Sequence, residues 1–276
     1  MNPVVAVIAP GAMGAAVGKR LTENGVTVLT VLEGRSADSV KRARDASMTS
    51  IPLAQLAEAD IVLSIVPPGE AIGLAKRVAF AFAVARKKPL YVDCNAVSPR
   101  TVQAIAEILA AADCPFVDAG IIGAPPKPGT PGPTFYLSGE RANEAAQLAQ
   151  FGIKCEVLEG PVGTASALKM SYGGITKGLT ALGSVMILAA ARNGVADALH
   201  RELAQSQPML LAWFERQIPS MFSKAYRWVA EMEEVAGFVE DDALMFEGTA
   251  RLYERLAAGE AGARTETDVL ARFFSR

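Results

Sequence analysis

The sequence predicts an α/β protein in two parts: an open, largely parallel sheet flanked by helices, then an all-helical second domain. Three observations carry that expectation. The first strand-like run, Val4-Val5-Ala6-Val7-Ile8, is continuously apolar, as a central parallel strand covered on both faces must be. Strand and helix signals then alternate as far as Ala112, and three short strands follow up to Leu158. From Gly163 onward the alternation stops and helical spacing takes over. The domains expected are residues 1–160, carrying the sheet, and residues 161–276, helical.

Each element has its own signal. Gly11 to Gly25 reads as a glycine turn feeding a helix that Asn24-Gly25 closes. Val26 to Leu32 supplies the second strand. A weakly marked third unit lies around Ala46 to Ile51, followed by a helix near Leu53 to Ala57. Asp60 to Val66 is the clearest fourth strand; Pro67-Pro68-Gly69 ends it and a helix follows from Glu70. Leu90 to Cys94 forms another strand and Pro99 to Ala112 another helix. Phe116 to Gly120, Thr134 to Ser138 and Cys155 to Leu158 add three short strands. In the second half, Ala165, Leu168, Met170, Ile175, Leu179 and Leu182 mark a long helical segment joining the two domains. Glycines at 173, 174, 178 and 183 lower its helix propensity and permit close packing.

Composition narrows the function classes. The chain has 276 residues, 51% hydrophobic and 20% charged, which suits a compact core and argues against extensive disorder. A net charge of -2 gives no basic surface for nucleic acid or anionic membrane. Cys94, Cys114 and Cys155 are three, far apart and without a C-x-x-C pair, which points to a reducing compartment. His200 is the sole histidine, and no ligand-rich loop surrounds it, so no metal is expected. No basic leader precedes a cleavable apolar segment, and runs such as Phe80 to Val84 and Val185 to Ala191 are too short to span a membrane. A cytoplasmic protein is expected.

The chemistry-bearing motifs sit at strand ends. In VVAVIAPGAMGAAVG the turn Pro10-Gly11-Ala12-Met13-Gly14 follows the first strand and opens a helix. Such a turn aims backbone N–H groups and the positive helix end at a pyrophosphate. Gly11 and Gly14 occupy the second and third places of a G-x-G-x-x-G fingerprint, whereas Ala9 takes the first. Its setting in repeated strand-helix units favours a Rossmann-like NAD(P)-binding domain over a structural turn. After the second strand, Glu33-Gly34-Arg35-Ser36 offers a guanidinium and a hydroxyl suited to the 2'-phosphate of NADP; Glu33 keeps NAD open, and a solvated turn is the plain alternative. Val66 and Pro67 place backbone near the ribose and nicotinamide. Asn95 and Ser98 follow the next strand, where Asn95 is a nicotinamide or substrate neighbour and Ser98 a substrate contact or a helix cap.

Lys169 is the sharpest catalytic candidate. It lies within GPVGTASALKMSYGG, at the expected start of the second domain, where a lysine facing an interdomain cleft exchanges a proton with a hydroxyl or donates to a developing alkoxide. A solvated helix lysine is the competing account. Lys177, two turns on, is a supporting residue toward the same cleft. Around Trp228, aromatics and charges at helical spacing either line a pocket or fill a core with Glu231 and Glu234 in water.

Taken together, PGAMG, VLEGRS, VDCNAVSP and GPVGTASALKMSYGG resemble the β-hydroxyacid dehydrogenase superfamily, which includes 3-hydroxyisobutyrate and 6-phosphogluconate dehydrogenases, in a branch with its own helical C-terminal domain. The resemblance covers nearly the whole chain. It implies an NAD(P)-dependent dehydrogenase moving hydride between nicotinamide C4 and a small hydroxy acid or related carbonyl. Lys169 would be the general acid/base, Asn95 would orient substrate or nicotinamide, and Ser98, Ile122, Gly123 and Lys177 would line the substrate site. It also implies a homodimer through the helical domain. Two positions depart from the family: Gly173 stands where an asparagine is frequent, and Ile122 where a substrate-loop serine is usual. Imine reduction and a non-catalytic dinucleotide-binding regulator are the alternatives.

Overall fold

In the computed structural model, which describes residues 2–259 and 266–275, two compact units are resolved, Met1–Met170 and Ser171–Arg276. The first contains strands β1 (Val4–Ile8), β2 (Thr27–Thr30), β3 (Thr49–Ser50), β4 (Ile61–Ser64), β5 (Leu90–Asp93), β6 (Phe116–Ile122), β7 (Thr134–Ser138) and β8 (Lys154–Val157). They form one sheet in the order β3-β2-β1-β4-β5-β6-β7-β8, parallel throughout except for the antiparallel β6–β7 pair. The chain leaves β1 toward β2 and β3, then crosses back to β4. That reversal opens a crevice at the carboxyl ends of β1 and β4.

The alternation of side chains along each strand builds two cores. Val5 and Val7 face one layer with Val17, Leu21 and Val92, while Ala6 and Ile8 face the other with Val62, Leu74, Phe82 and Ile105. Each fully buried aliphatic side chain contributes about 1.5–3 kcal/mol relative to exposure. The helices supplying these layers are α1 (Ala12–Glu23), α2 (Ala37–Asp45), α3 (Pro68–Ala83), α4 (Pro99–Ala110) and the short α5 (Ala142–Ala145).

Several boundaries differ from the sequence reading. Helix α2 was not anticipated: ADSVKRARD buries only Ala43, so its apolar stripe is too narrow to register as a helical period. Helix α3 starts at Pro68 rather than Glu70, because proline suits the first helical position, where its missing N–H costs nothing. Strand β6 runs on to Ile122, since pairing with β7 continues to Ile122 opposite Thr134. Residues 142–151 are helical, first as α5 and then as a 3-10 turn.

Helix α6 (Thr164–Arg192) begins in the first unit, and a single carboxylate anchors it there. Asp118, on β6 and fully buried, accepts from the Gly163 N–H at 2.9 Å, the Ser166 N–H at 3.0 Å, the Ser166 hydroxyl at 2.7 Å and the Ser138 hydroxyl at 3.0 Å. The Ser138 oxygen in turn accepts from the Ala165 N–H at 3.0 Å. The N–H groups that a helix start leaves unpaired are thus satisfied from the sheet. Gly120 allows the approach: a Cβ there would lie 2.8 Å from the Ala165 carbonyl oxygen and 3.1 Å from the Lys169 Cβ.

Among its described residues the second unit holds helices and short connections without a strand: the rest of α6, α7 (Ala196–Ser206), α8 (Pro208–Met221), α9 (Ala225–Val239), α10 (Ala243–Ala258) and α11 (Glu266–Phe274). The glycines of α6 serve packing as expected. A Cβ on Gly183 would sit 2.5 Å from the Phe214 ring of α8, and one on Gly174 would press on Val235 and Phe246. Helix α6 also corrects the reading that every apolar run is too short for a membrane. Val185 to Ala191 lies inside a helix of 29 residues whose best window has a mean hydropathy of 1.5, enough to cross a bilayer by length and composition. Of that window 44% is buried within the fold, and the core helix of a soluble protein meets the same criterion.

Candidate cofactor-binding and active site

The edge of the sheet where β1, β2, β4, β5 and β6 end collects most of the predicted residues. At β1, Ala9 donates its N–H to the Ile65 carbonyl at 3.1 Å, and its own carbonyl accepts from the Gly11 N–H at 2.8 Å. Ala9 is not among the residues with positive φ, so the left-handed freedom of a glycine is not required at the first fingerprint place. Gly14 is indispensable for a different reason: a Cβ there would lie 2.1 Å from the Ala9 oxygen, so only glycine lets α1 pack on the strand end. Above Gly11 a Cβ would meet nothing within 4 Å. No side chain caps α1, and no acidic residue stands in its first turn. The N–H groups of Ala12, Met13 and Gly14 at this helix start fit a pyrophosphate, by hydrogen bonding and by the helix dipole.

The loop after β2 turns at Gly34, with φ +70°, and the Arg35 N–H donates to the Leu32 carbonyl. Ser36 caps α2 by accepting from the Ser39 N–H at 3.3 Å. The Arg35 guanidinium lies 3.3 Å from the carboxylate of Glu70, in the first turn of α3. Arg42, which sequence reading did not single out, is half-buried here: its Nε donates to the Pro10 carbonyl at 3.0 Å and its Nη2 to the Ser39 hydroxyl at 2.9 Å. It ties the Pro10–Gly14 turn to α2. The signal lay in the spacing, since Arg35 and Arg42 flank a helix start seven residues apart.

Asn95 is placed where expected along the chain, but both amide hydrogens are engaged and its oxygen already accepts a hydrogen bond. The Val66 N–H donates to its Oδ1 at 2.7 Å, and its Nδ2 donates to Ser64 Oγ and Asp93 Oδ2, both at 2.9 Å. With 2% of its surface exposed, it staples the end of β4 to the end of β5 and fixes Val66 and Pro67. Burial pushes the Asp93 carboxyl up to about 7; the Asn95 backbone N–H opposes the rise and the nearby Asp118 charge adds to it. Ser98, also buried, caps α4 by accepting from the Thr101 N–H.

At the end of β6, Ile122 is half-buried and Gly123 turns the chain with φ +127°, packed so closely on Pro133 that a Cβ would lie 2.9 Å from its Cα. The Lys169 ammonium donates to the Ile121 carbonyl. The anchored start of α6 therefore carries this amine to the same sheet edge as the bare helix start of α1.

Lys177 belongs to the second unit and has its own partners there. Its ammonium pairs with Glu231 and lies 5.5 Å from the centre of the Trp228 ring, while the Tyr253 hydroxyl donates to its carbonyl at 2.6 Å. Trp228 packs edge-on against Tyr253. Glu231 accordingly does not face water as an isolated charge: burial has drawn it onto a cation. The cysteines are free, and burial pushes the thiols of Cys94, Cys114 and Cys155 up, Cys155 to about 11, which leaves them poor nucleophiles near neutral pH.

Residues 4–151 match the NAD binding domain of 6-phosphogluconate dehydrogenase. The chain belongs to the β-hydroxyacid dehydrogenase superfamily. Within that superfamily it has a helical C-terminal region, of which residues 190–256 match a domain of unknown function, DUF1932. Membership makes it an NAD(P)-dependent dehydrogenase by class. An uncharacterised 28.5 kDa protein from Methanothermus fervidus is 32% identical over 184 residues, 66% of this chain and 69% of that one. A solved conserved protein, described as structurally similar to 3-hydroxyacid dehydrogenases, is 30% identical with a TM-score of 0.68, covering 94% of this chain and 99% of its own. The superfamily fold is shared with the Mycobacterium tuberculosis 3-hydroxyisobutyrate dehydrogenase, 18% identical, TM-score 0.70, over 99% of both chains.

The raised Asp93 carboxyl has a consequence for stability. Its folded value, about 7, lies above the ordinary 3.8, so the native state holds this proton more tightly between those limits. The associated stabilisation is complete below about pH 4 and is lost as pH rises through about 7. The wild-type urea midpoint is expected to fall between pH 5 and pH 8 by more than that of Asp93→Asn. Equal slopes in the two proteins would remove the assignment.

Proposed function

We propose that the protein is an NADP-dependent oxidoreductase acting on a small hydroxy acid or the related carbonyl compound, with Lys169 as general acid/base. The observation that carries this reading is the Lys169 ammonium at the carboxyl end of β6, on the sheet edge that also bears the uncapped start of α1. When bound, the dinucleotide supplies or accepts hydride at nicotinamide C4.

The chain's own residues divide the remaining work. The Pro10–Gly14 turn binds the pyrophosphate through backbone N–H groups, and Gly34, Arg35 and Ser36 receive the adenosine end. Asn95 acts as a positioning residue, holding the Val66–Pro67 backbone against the ribose and nicotinamide side. In the reducing direction Lys169 gives its proton to the substrate oxygen; in the oxidising direction its neutral amine takes the hydroxyl proton. The Ile121 carbonyl aims the amine without competing as a proton donor. Gly123 and Ile122 border the substrate, and Ile122, in place of the family serine, gives that border an apolar wall. Ser98 supports it by fixing the start of α4. Lys177 serves as a strut of the second unit rather than a substrate ligand, because Glu231 already neutralises it. Free thiols at all three cysteines accord with a cytoplasmic setting.

We also propose a homodimer through the helical unit. Tyr172, Ile175, Leu182 and Met186 of α6 are exposed, and with half-buried Leu179 they recur at spacings of three and four, the pattern of a helix seam seeking a partner. Light scattering should give twice the 29.0 kDa chain mass, and Leu182→Glu should shift it to the monomer. A monomeric wild type refutes the dimer.

The catalytic reading is tested on two panels, hydroxy acids with their carbonyl forms, and cyclic imines. The wild type should turn over a member of the first with NADP(H). Lys169→Ala should lower kcat on it by roughly a hundredfold to ten-thousandfold and leave the NADPH Kd within about twofold. Imine reduction that survives in Lys169→Ala, without hydroxy-acid turnover, would assign C=N reduction instead. Dinucleotide binding with no turnover on either panel would assign a regulatory role.

A further inference from the structure

Resting on the cofactor reading above, we propose that Glu70 sets the choice between phosphorylated and unphosphorylated dinucleotide by competing for Arg35. Strands β2 and β4 lie on either side of β1. Arg35 stands in the loop after β2, and Glu70 in the first turn of α3, after β4. Their 3.3 Å ion pair therefore ties together the two elements that flank the carboxyl end of β1, where the Pro10–Gly14 turn waits for the pyrophosphate. A dinucleotide laid on that turn sends its adenosine end toward the loop after β2. The residue that would receive a 2'-phosphate is thus already held by a carboxylate.

The pair is built to exchange. The Arg35 side chain is 22% exposed and that of Glu70 47%, so water screens their attraction and a better anion can displace the carboxylate. A phosphate dianion offers Arg35 a stronger, bidentate partner. Arg42, on α2 and braced on the Pro10 carbonyl and Ser39, adds a fixed positive charge beside the Pro10–Gly14 turn. Two consequences follow for a nucleotide carrying the 2'-phosphate. Arg35 must leave Glu70, and Glu70 is then left without its partner near a like charge. A nucleotide with a free 2'-hydroxyl incurs neither cost. Glu70 thereby narrows the advantage that Arg35 gives to the phosphorylated cofactor, and its charge becomes a specificity determinant that makes no contact with the reacting atoms.

The test is direct titration of NADPH, NADH, 2',5'-ADP and 5'-AMP into wild type, Glu70→Gln, Arg35→Ala and the double variant by calorimetry. Glu70→Gln should bind NADPH and 2',5'-ADP about threefold to tenfold more tightly, with NADH and 5'-AMP changed by less than about twofold. In the Arg35→Ala background the same substitution should gain less than about twofold. An unchanged NADPH Kd in Glu70→Gln, an equal gain for both nucleotide classes, or an undiminished gain without Arg35 overturns this inference while leaving the cofactor reading intact. Failure of all four nucleotides to bind wild type and Glu70→Gln overturns the cofactor reading and this inference with it.

Discussion

The buried carboxylate of Asp118 is the constraint on which the site geometry rests. It accepts four hydrogen bonds, three of them from Gly163 and Ser166 at the start of α6. A carboxylate removed from water is tolerated only when its lone pairs are satisfied in this way, and removing one side of such an arrangement leaves several buried polar groups orphaned. The bond set therefore fixes both partners, locking the first turn of α6 onto β6. Lys169 follows one and a half turns later, and Gly120 lets its stem lie against the strand. The amine reaches the Ile121 carbonyl because the helix start has nowhere else to be.

A second, independent device shapes the nucleotide side of the same edge. Gly14 brings α1 onto the end of β1, and the absence of a side-chain cap leaves the helix start open to an anion. Asn95 then links the end of β5 to that of β4 through two hydrogen bonds, to Val66 and Ser64, and two more to Asp93 fix its own position. None of these groups needs to move for the cradle to exist. Preorganised donors of this kind are what lets a protein stabilise an anion without reorganising to do so.

Much of this was legible in the sequence. The continuous apolar run of β1, the glycine turn behind it and the strand-helix alternation through residue 112 encode an open sheet whose strand ends gather loops at one edge. Periodicity also announced a helical second half. Less legible were the features decided by tertiary pairing. Helix α2 is so charged that its single buried residue leaves no period to read. Asn95 has the right place for a ligand contact, yet only the folded backbone shows that Val66, Ser64 and Asp93 engage its amide. Asp118 reads as an ordinary strand residue until β6 meets α6, forty-five residues later in the chain. Lys177 shares its helix with Lys169, but the partner that neutralises it, Glu231, lies on α9. Ala9 looked like a defect in the fingerprint; its φ angle shows that this turn has no need of a glycine there.

Hydrogen exchange on Asp118→Asn tests the central claim most directly, with NADPH titration on the same sample. If Asp118 anchors α6 independently of the nucleotide cradle, the amides of Gly163, Ala165 and Ser166 should exchange at least about tenfold faster than in wild type. The NADPH Kd should stay within about twofold. Unchanged exchange at those three amides in the folded variant would contradict the account, because something other than Asp118 would then be holding Lys169 at the sheet edge.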